Sequence, residues 1–256
     1  MSYFAAIMTK TIVFLGAKPL GYACLEFLWQ NAATLDAQVV AVGTNDKAIL
    51  NNKAQSISNF CEVHQIPVLS NLTDLPVCDF IISVQYHQIL RQHHIDQARC
   101  LAINLHTAPL PEYRGCHPFS FAIADGATEY GTTLHRLEAG IDSGDILFEK
   151  RFPIPADCWV KDLFEQTQQY SIDLFIQHIG DILRGNYTPI PQNTRSQTHP
   201  SSYHFRKDIE QLKAIDLSWS AEKIERHLRA TYFPPFAPPY FVVAGKRLGV
   251  VALESF

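Results

Sequence analysis

Asn104, His106 and Asp142 are the residues whose types and spacing could do chemistry. The run Cys100 to Leu105, CLAINL, is apolar and β-favouring, and it delivers Asn104 and His106 to a strand end two positions apart, so on the same face. Asp142 follows in a turn-like Gly-Ile-Asp-Ser-Gly sequence between two further strand-like runs. If the fold carries that turn to the strand end, an amide, an imidazole and a carboxylate meet. When an amine attacks a carbonyl, the oxygen gains negative charge and the nitrogen positive. The site must donate a hydrogen bond to the first and take a proton from the second. A side-chain amide donates without titrating, an imidazole exchanges protons near neutral pH, and a carboxylate can hold the imidazole and take up the proton. That trio suits acyl transfer. The same residues admit a structural reading, in which Asn104 caps a turn, His106 is a satisfied half-buried histidine and Asp142 makes an Asx-turn.

The elements that must position these residues alternate between strand and helix. Thr11 to Gly16 (TIVFLG) is a continuous apolar run of the kind found in buried parallel strands. Leu20 to Gln30 carries Leu20, Ala23, Cys24, Phe27 and Leu28 at helical spacing. Gln38 to Gly43, Pro67 to Leu69, Asp79 to Val84 and Cys100 to Leu105 read as further strands, and Ala54 to His64 as a helix. This rhythm implies an α/β fold, a Rossmann-like and mostly parallel sheet with helices on both faces. Ligands of such sheets bind outside the carboxyl ends of the strands, where Lys18, Tyr86, Asn104 and His106 fall. Lys18 there either meets a phosphate or substrate oxygen or is solvated. The glycines after the first strand fall short of a dinucleotide fingerprint and no acidic ribose ligand follows at the expected place, which argues against NAD.

Leu110 to Gly115 (LPEYRG) is a proline-stiffened turn that can hold the His106 backbone while Tyr113 or Arg114 faces substrate, and it leads into a helix at Pro118 to Asp125. Gly131 to Leu137 and Ile146 to Phe152 read as a hairpin-like pair with Asp142 near the tip. His135, in the first of them, is either structural or faces substrate. Val160 to Leu183 has the spacing of a long amphipathic cover helix closed by Gly185. The polar stretch Gln192 to Ser202 is the best linker, which divides the chain into residues 1–191 and a smaller part, 192–256. That part opens with a helix at Ser220 and ends in two short strands around Gly245. Between them Tyr232, Phe233, Phe236 and Tyr240 alternate with four prolines. Rigid aromatics on a proline-stiffened backbone either make stacking surfaces for a flat ring or pack against the rest of the chain.

With 256 residues, 47% hydrophobic and 18% charged, the chain can bury a sizeable core and is not of disordered composition. A net charge of −4 argues mildly against a polyanion such as tRNA as the main partner. The six cysteines are scattered, with no Cys-x-x-Cys and no framework spacing, so they read as small buried hydrophobes in a reducing compartment. His87, His93 and His94 have no carboxylate spaced to complete a metal site and read as surface histidines. The start, MSYFAAIMTK, is too weakly apolar for a signal peptide and no run approaches about 18 apolar residues, so a cytoplasmic protein is expected, with Met1 or Met8 as its start.

Asn-x-His, then Pro-Leu-Pro-x-Tyr-Arg-Gly, then Gly-Ile-Asp-x-Gly-Asp at this distance resembles the signature of the 10-formyltetrahydrofolate-dependent formyltransferases, and the resemblance runs from about Thr11 to about Tyr240. By position, Asn104, His106 and Asp142 match the family's catalytic Asn, His and Asp. The resemblance further implies 10-formyltetrahydrofolate as formyl donor, with no metal. One wall of the pterin site would come from Tyr86, Gln88, Ile89 and Leu90, and the other from Glu138, Gly140 and Asp142.

The C-terminal part resembles the sugar N-formyltransferases more than those acting on methionyl-tRNA, which continue into a further nucleic-acid-binding domain. Its Phe-Pro-Pro-Phe is followed at once by a short hairpin, and the early Leu-Gly-Ala-Lys-Pro-Leu-Gly is similar to the same group. The implied acceptor is the 4-amino group of a dTDP- or UDP-linked 4-amino-4,6-dideoxyhexose for surface polysaccharide such as O-antigen. Lys18, Tyr113, Arg114, Tyr232, Phe233, Phe236 and Tyr240 are the residues offered to that substrate. Phe236 departs from the tyrosine of some relatives and lacks its hydroxyl. A homodimer through the terminal strands is expected from their apolar edge. The alternatives are another amine acceptor, methionyl-tRNA among them, or a folate- or nucleotide-binding module without turnover.

Overall fold

The computed structural model describes residues 9–45 and 56–250. Its strands are β1 (Lys10–Gly16), β2 (Ala37–Gly43), β3 (Cys78–Val84), β4 (Ala98–His106), β5 (Arg114–Gly115), β6 (Glu129–Arg136), β7 (Ile146–Pro153), β8 (Tyr203–His204), β9 (Tyr240–Val243) and β10 (Lys246–Gly249). The α-helices are α1 (Lys18–Gln30), α2 (Ala32–Leu35), α3 (Ile57–Val63), α4 (Gln92–Ile95), α5 (Pro118–Ala124), α6 (Val160–Arg184), α7 (Gln192–Arg195), α8 (Ile209–Lys213) and α9 (Ala221–Thr231). The main sheet runs in the order β2-β1-β3-β4-β6-β7. Parallel pairing joins β1 to β2, β1 to β3 and β3 to β4. Among the described residues no helix is long and apolar enough to cross a membrane.

The chain divides into two compact units, neither of them contiguous in sequence. The first takes residues up to His106 together with Leu134–Phe148 and Ser171–Ile190. The central runs of its strands are apolar because both faces are covered there. Ile12, Phe14, Ile82, Ile103 and Leu105 pack on one side with Leu20, Leu28, Phe175 and Ile179, while Val13, Leu15, Ile81 and Ala102 pack on the other with Leu75 and Leu90. That two-residue alternation leaves Ala102, Asn104 and His106 sharing a face.

The second unit takes Thr107–Thr133, Glu149–Tyr170 and residues from Pro191 onward. Ala122, Ile123, Tyr130, Phe152, Leu163 and Ala230 form its core. The sequence division at 191 therefore marks only the start of this unit's last segment. Ala230 and the flanking Phe233 need the α5 and β6 side chains to be buried, so residues 192–256 do not group by themselves.

Several expected elements shift for local reasons. The helix expected over Ala54 to His64 begins at Ile57, where the Ser56 hydroxyl accepts from the Asn59 N–H at 3.2 Å; residues 54 and 55 lie outside the described ones. The strand expected at Pro67 to Leu69 is an isolated bridge between Val42 and Val68. Val42 N–H donates to Pro67 C=O and Leu69 N–H to Val42 C=O, and Pro67 has no N–H with which to extend the ladder. The cover helix closes as expected, with Gly185 at φ +77° donating to Ile182 C=O and Asn186 donating to Asp181 C=O.

Candidate active site

β4 ends at His106 and β6 is its neighbour in the sheet; Leu137 N–H, just past β6, donates to Ala102 C=O, which sets the end of β6 beside the middle of β4. Asn104 and His106 come from β4 and His135 from β6. Asp142 comes from the turn between β6 and β7, where it sits in the left-handed region at φ +50°, a conformation that aspartate tolerates. Gly144 makes the turn possible, because any Cβ there would collide with the Arg136 carbonyl. Arg136 N–H then donates to Asp145 C=O at 2.9 Å and closes the turn.

The side chains converge. Asp142 Oδ1 lies 3.7 Å from His106 Nδ1 and 3.7 Å from His135 Nε2, ion-pair separations rather than hydrogen bonds. The two imidazoles stand edge to face, at 89° with centroids 6.2 Å apart. Asn104 Nδ2 and His135 Nε2 are 3.1 Å apart, and His135 Nδ1 lies 2.8 Å from the Arg136 carbonyl oxygen. A carbonyl only accepts, so the His135 proton sits on Nδ1 and Nε2 accepts from the Asn104 amide. Burial holds the imidazole neutral: His135 is 1% exposed, and desolvation foremost lowers its pKa to about 4 against the opposing pull of Asp142.

The three residues singled out by spacing thus lie together, and His135 joins them. The sequence left His135 between a structural and a substrate-facing part. Its alternation with Leu134, which faces the core, was the available signal.

The residues expected to wall a pterin also belong to the first unit. Tyr86 packs among the Val13 and Leu15 layer with its hydroxyl beside Gly43, and burial raises its pKa. Leu90 is buried in that same layer, Ile89 is 69% exposed, and Gln88 is exposed and hydrogen-bonded to His87 at 3.0 Å. Glu138 and Gly140 are exposed on the approach to Asp142. Gln85, which the sequence did not single out, takes φ +53° at the end of β3, and its buried Oε1 has no hydrogen-bond partner. Lys18 is exposed at the first position of α1 with φ +64°; Pro19 disfavours the right-handed helical region for the residue before it. Among the described residues no group of three or more His, Cys, Asp or Glu could hold a metal ion.

The other residues offered to substrate lie in the second unit, and most are engaged there. Tyr113 does not present a free hydroxyl: it is hydrogen-bonded to Asp125, and its ring packs 6.0 Å from that of Tyr130. Its backbone N–H donates to Ser202 Oγ, and Arg114 N–H donates to Ser202 C=O, which aligns β5 beside β8. Phe233 sits against Phe164 and Tyr232 against Trp159, while Arg247 covers the Tyr240 ring at 4.5 Å. Phe236 differs. It touches Phe233 edge-on and is 66% exposed.

The formyl transferase family model matches residues 10–179. The methionyl-tRNA formyltransferase of Halorhodospira halophila is 33% identical over 152 residues, 59% of this chain, which spans only 47% of that relative's length. The N-formyltransferase of Helicobacter canadensis, solved with folinic acid and dTDP-3-aminofucose, superposes with a TM-score of 0.75 at 24% identity, over 94% of this chain and 86% of that one. A 4-N formyltransferase from Francisella tularensis superposes with a TM-score of 0.77 at 22% identity, over 97% and 100% of the two chains. A match over most of the sequence, a shared fold and an amide, imidazole and carboxylate at one strand edge lead to one assignment: this chain belongs to the formyl transferase family of formyl-transferring enzymes.

Proposed function

We propose that the protein transfers the formyl group of 10-formyltetrahydrofolate to the 4-amino group of a dTDP- or UDP-linked 4-amino-4,6-dideoxyhexose, for surface polysaccharide. The observation that carries the chemistry is the convergence of Asn104, His106 and Asp142, with a neutral His135 behind them. Support for the acceptor class comes from the fold shared with an N-formyltransferase solved with dTDP-3-aminofucose and with a 4-N formyltransferase. The exposed Phe236 ring, flanked by Pro235 and Pro238, has the form of a platform for a nucleobase.

The first unit fits a reduced pterin. The orphaned Gln85 Oε1 is a buried acceptor suited to ring N–H groups, and Ile89 with Ile141 offers exposed apolar surface. The bound folate supplies an activated formyl carbon. Asn104 donates one N–H to His135 and presents the other to the formyl oxygen, where negative charge develops. His106 donates to the same oxygen. As the amine nitrogen bonds to the formyl carbon, the Asp142–His106 pair takes up the proton it loses, and that proton passes to the folate N10 as the carbon–N10 bond breaks and tetrahydrofolate leaves. No residue need form a covalent bond with the formyl group.

The exposed Val242, Val243 and Leu248 of the β9–β10 hairpin support a homodimer through that element, and six free cysteines suit a reducing cytoplasm. Incubation with 10-formyltetrahydrofolate and a panel of nucleotide-linked amino sugars, read by mass, tests the reading. A formylated 4-amino sugar is the expected product. The name of the Halorhodospira relative favours a second reading, in which methionyl-tRNA is the acceptor. Formylation of charged initiator tRNA, with a salt-dependent gel shift, would select it. Folate binding without release of tetrahydrofolate would reduce the protein to a binding module.

A further inference from the structure

We propose that His135 is a positioning residue that sets which end of the Asn104 side-chain amide meets the substrate. This rests on the reading of Asn104 as a donor to the formyl oxygen.

The two ends of a carboxamide have almost the same shape and opposite chemistry: the NH2 end only donates and the oxygen only accepts. Rotation by half a turn would present a lone pair to the formyl oxygen just as that oxygen becomes negative, turning attraction into repulsion. Something in the site must therefore fix the rotation. Among the described residues, the partner that meets the NH2 end of this amide is His135 Nε2, at 3.1 Å. That nitrogen fixes the rotation only if it carries a lone pair, since a protonated Nε2 would attract the Asn104 oxygen and reverse the amide.

Two features keep the lone pair there. Nδ1 lies 2.8 Å from the Arg136 carbonyl oxygen, so the ring's single proton is held on Nδ1. Burial of the ring, at 1% exposure, opposes a second proton. The charged and titratable groups facing it are Asp142, which favours the imidazolium, and His106, which opposes it; desolvation outweighs the carboxylate. An adjacent carboxylate would otherwise make this histidine a cation. The buried, backbone-tethered ring instead remains a pure acceptor, and the order runs from Arg136 carbonyl to His135 tautomer to Asn104 rotation to formyl oxygen.

The test is formyl transfer measured at steady state in His135→Leu, His135→Gln, Asn104→Ala and the double variant His135→Leu/Asn104→Ala. Gln can place an acceptor oxygen near the Nε2 position, whereas Leu fills the space without one. Expected is a fall of about 10- to 10²-fold in kcat for His135→Leu with KM for both substrates little changed, partial recovery in His135→Gln, and no further loss when His135→Leu is added to Asn104→Ala. Nitrogen-15 NMR of the wild-type protein should show His135 protonated on Nδ1 and bare on Nε2. Equal impairment of the Leu and Gln variants, multiplicative losses in the double variant, or a proton on Nε2 would overturn the proposal while leaving Asn104 as a donor. Wild-type turnover by Asn104→Ala would remove the donor reading itself, and the proposal with it. Should the Leu variant fail to fold, the tautomer and the Gln variant still decide.

Discussion

Asp142 Oδ1 stands 3.7 Å from His106 Nδ1, although the two residues come from different elements, a turn and a strand end. His135 lies as near to the same oxygen, yet burial keeps it neutral. Two imidazoles thus flank one carboxylate, and it is His135 that burial keeps neutral and that accepts from the Asn104 amide.

Replacing Asp142 by Asn keeps the shape of the turn and removes its charge. Rates should fall about 10²- to 10⁴-fold, with the folate affinity within a few fold of wild type. Stopped-flow single turnover with saturating folate reads the chemical step directly; an unchanged rate would show that the carboxylate takes no part in proton transfer.

Asn104→Ala should lower kcat by about 10²- to 10³-fold, the usual cost of one donor to a developing oxyanion, while the thermal unfolding midpoint moves little. A matched loss of stability and activity would mean instead that the amide serves the fold.

His135 also makes stability depend on pH. Its folded pKa is lowered to about 4, while an imidazole in the unfolded chain protonates near 6.5. Between those values the unfolded chain binds a proton that the folded one does not, so stability is full above about pH 6.5 and is lost as pH falls toward about 4. The loss from this residue is on the order of 3 kcal/mol. His87, His94, His117, His178, His204 and His227 have lowered pKa values too, burial being the first cause in each, so the comparison must be with a variant. Urea unfolding at about pH 7.5 and about pH 4.5 should show a smaller acid loss in His135→Leu than in wild type. Equal losses would contradict a buried neutral ring.

The loop that follows His106 is anchored by charge within the second unit. Arg151 donates to both Glu112 oxygens at 3.0 Å and to Glu149 at 2.9 Å, and Arg195 donates to the other Glu149 oxygen at 2.6 Å. Arg151 is 15% exposed on its side chain, so Arg151→Met takes the bidentate partner from the poorly solvated Glu112 carboxylate and leaves Glu149 with Arg195 alone. The expected destabilisation is about 3–5 kcal/mol by urea unfolding. A change under about 1 kcal/mol would show the network to be well hydrated.

Much of this arrangement is legible in the residues. TIVFLG and DFIISV are apolar without a break because they lie inside a parallel sheet, and Asn104 and His106 stand two apart on the face that meets the Asp142 turn. The tautomer of His135 is not legible, because it depends on burial and on a backbone carbonyl that only the folded chain brings near. Tyr113 shows the converse: its place in the LPEYRG turn pointed to substrate, but Asp125, in another element, takes up the hydroxyl. The grouping of the chain is equally hidden, since α6 runs for 25 residues and contributes its first turns to one unit and its last to the other.

The most direct measurement is kcat/KM for formyl transfer from 10-formyltetrahydrofolate to a dTDP-linked 4-amino sugar, with tetrahydrofolate release and product mass followed together, in wild type and in folded His106→Ala. Expected is stoichiometric formylation by the wild type and a fall of about 10²- to 10⁴-fold in the variant. Full turnover by His106→Ala, at wild-type kcat/KM, would contradict the assignment of formyl transfer to this cluster.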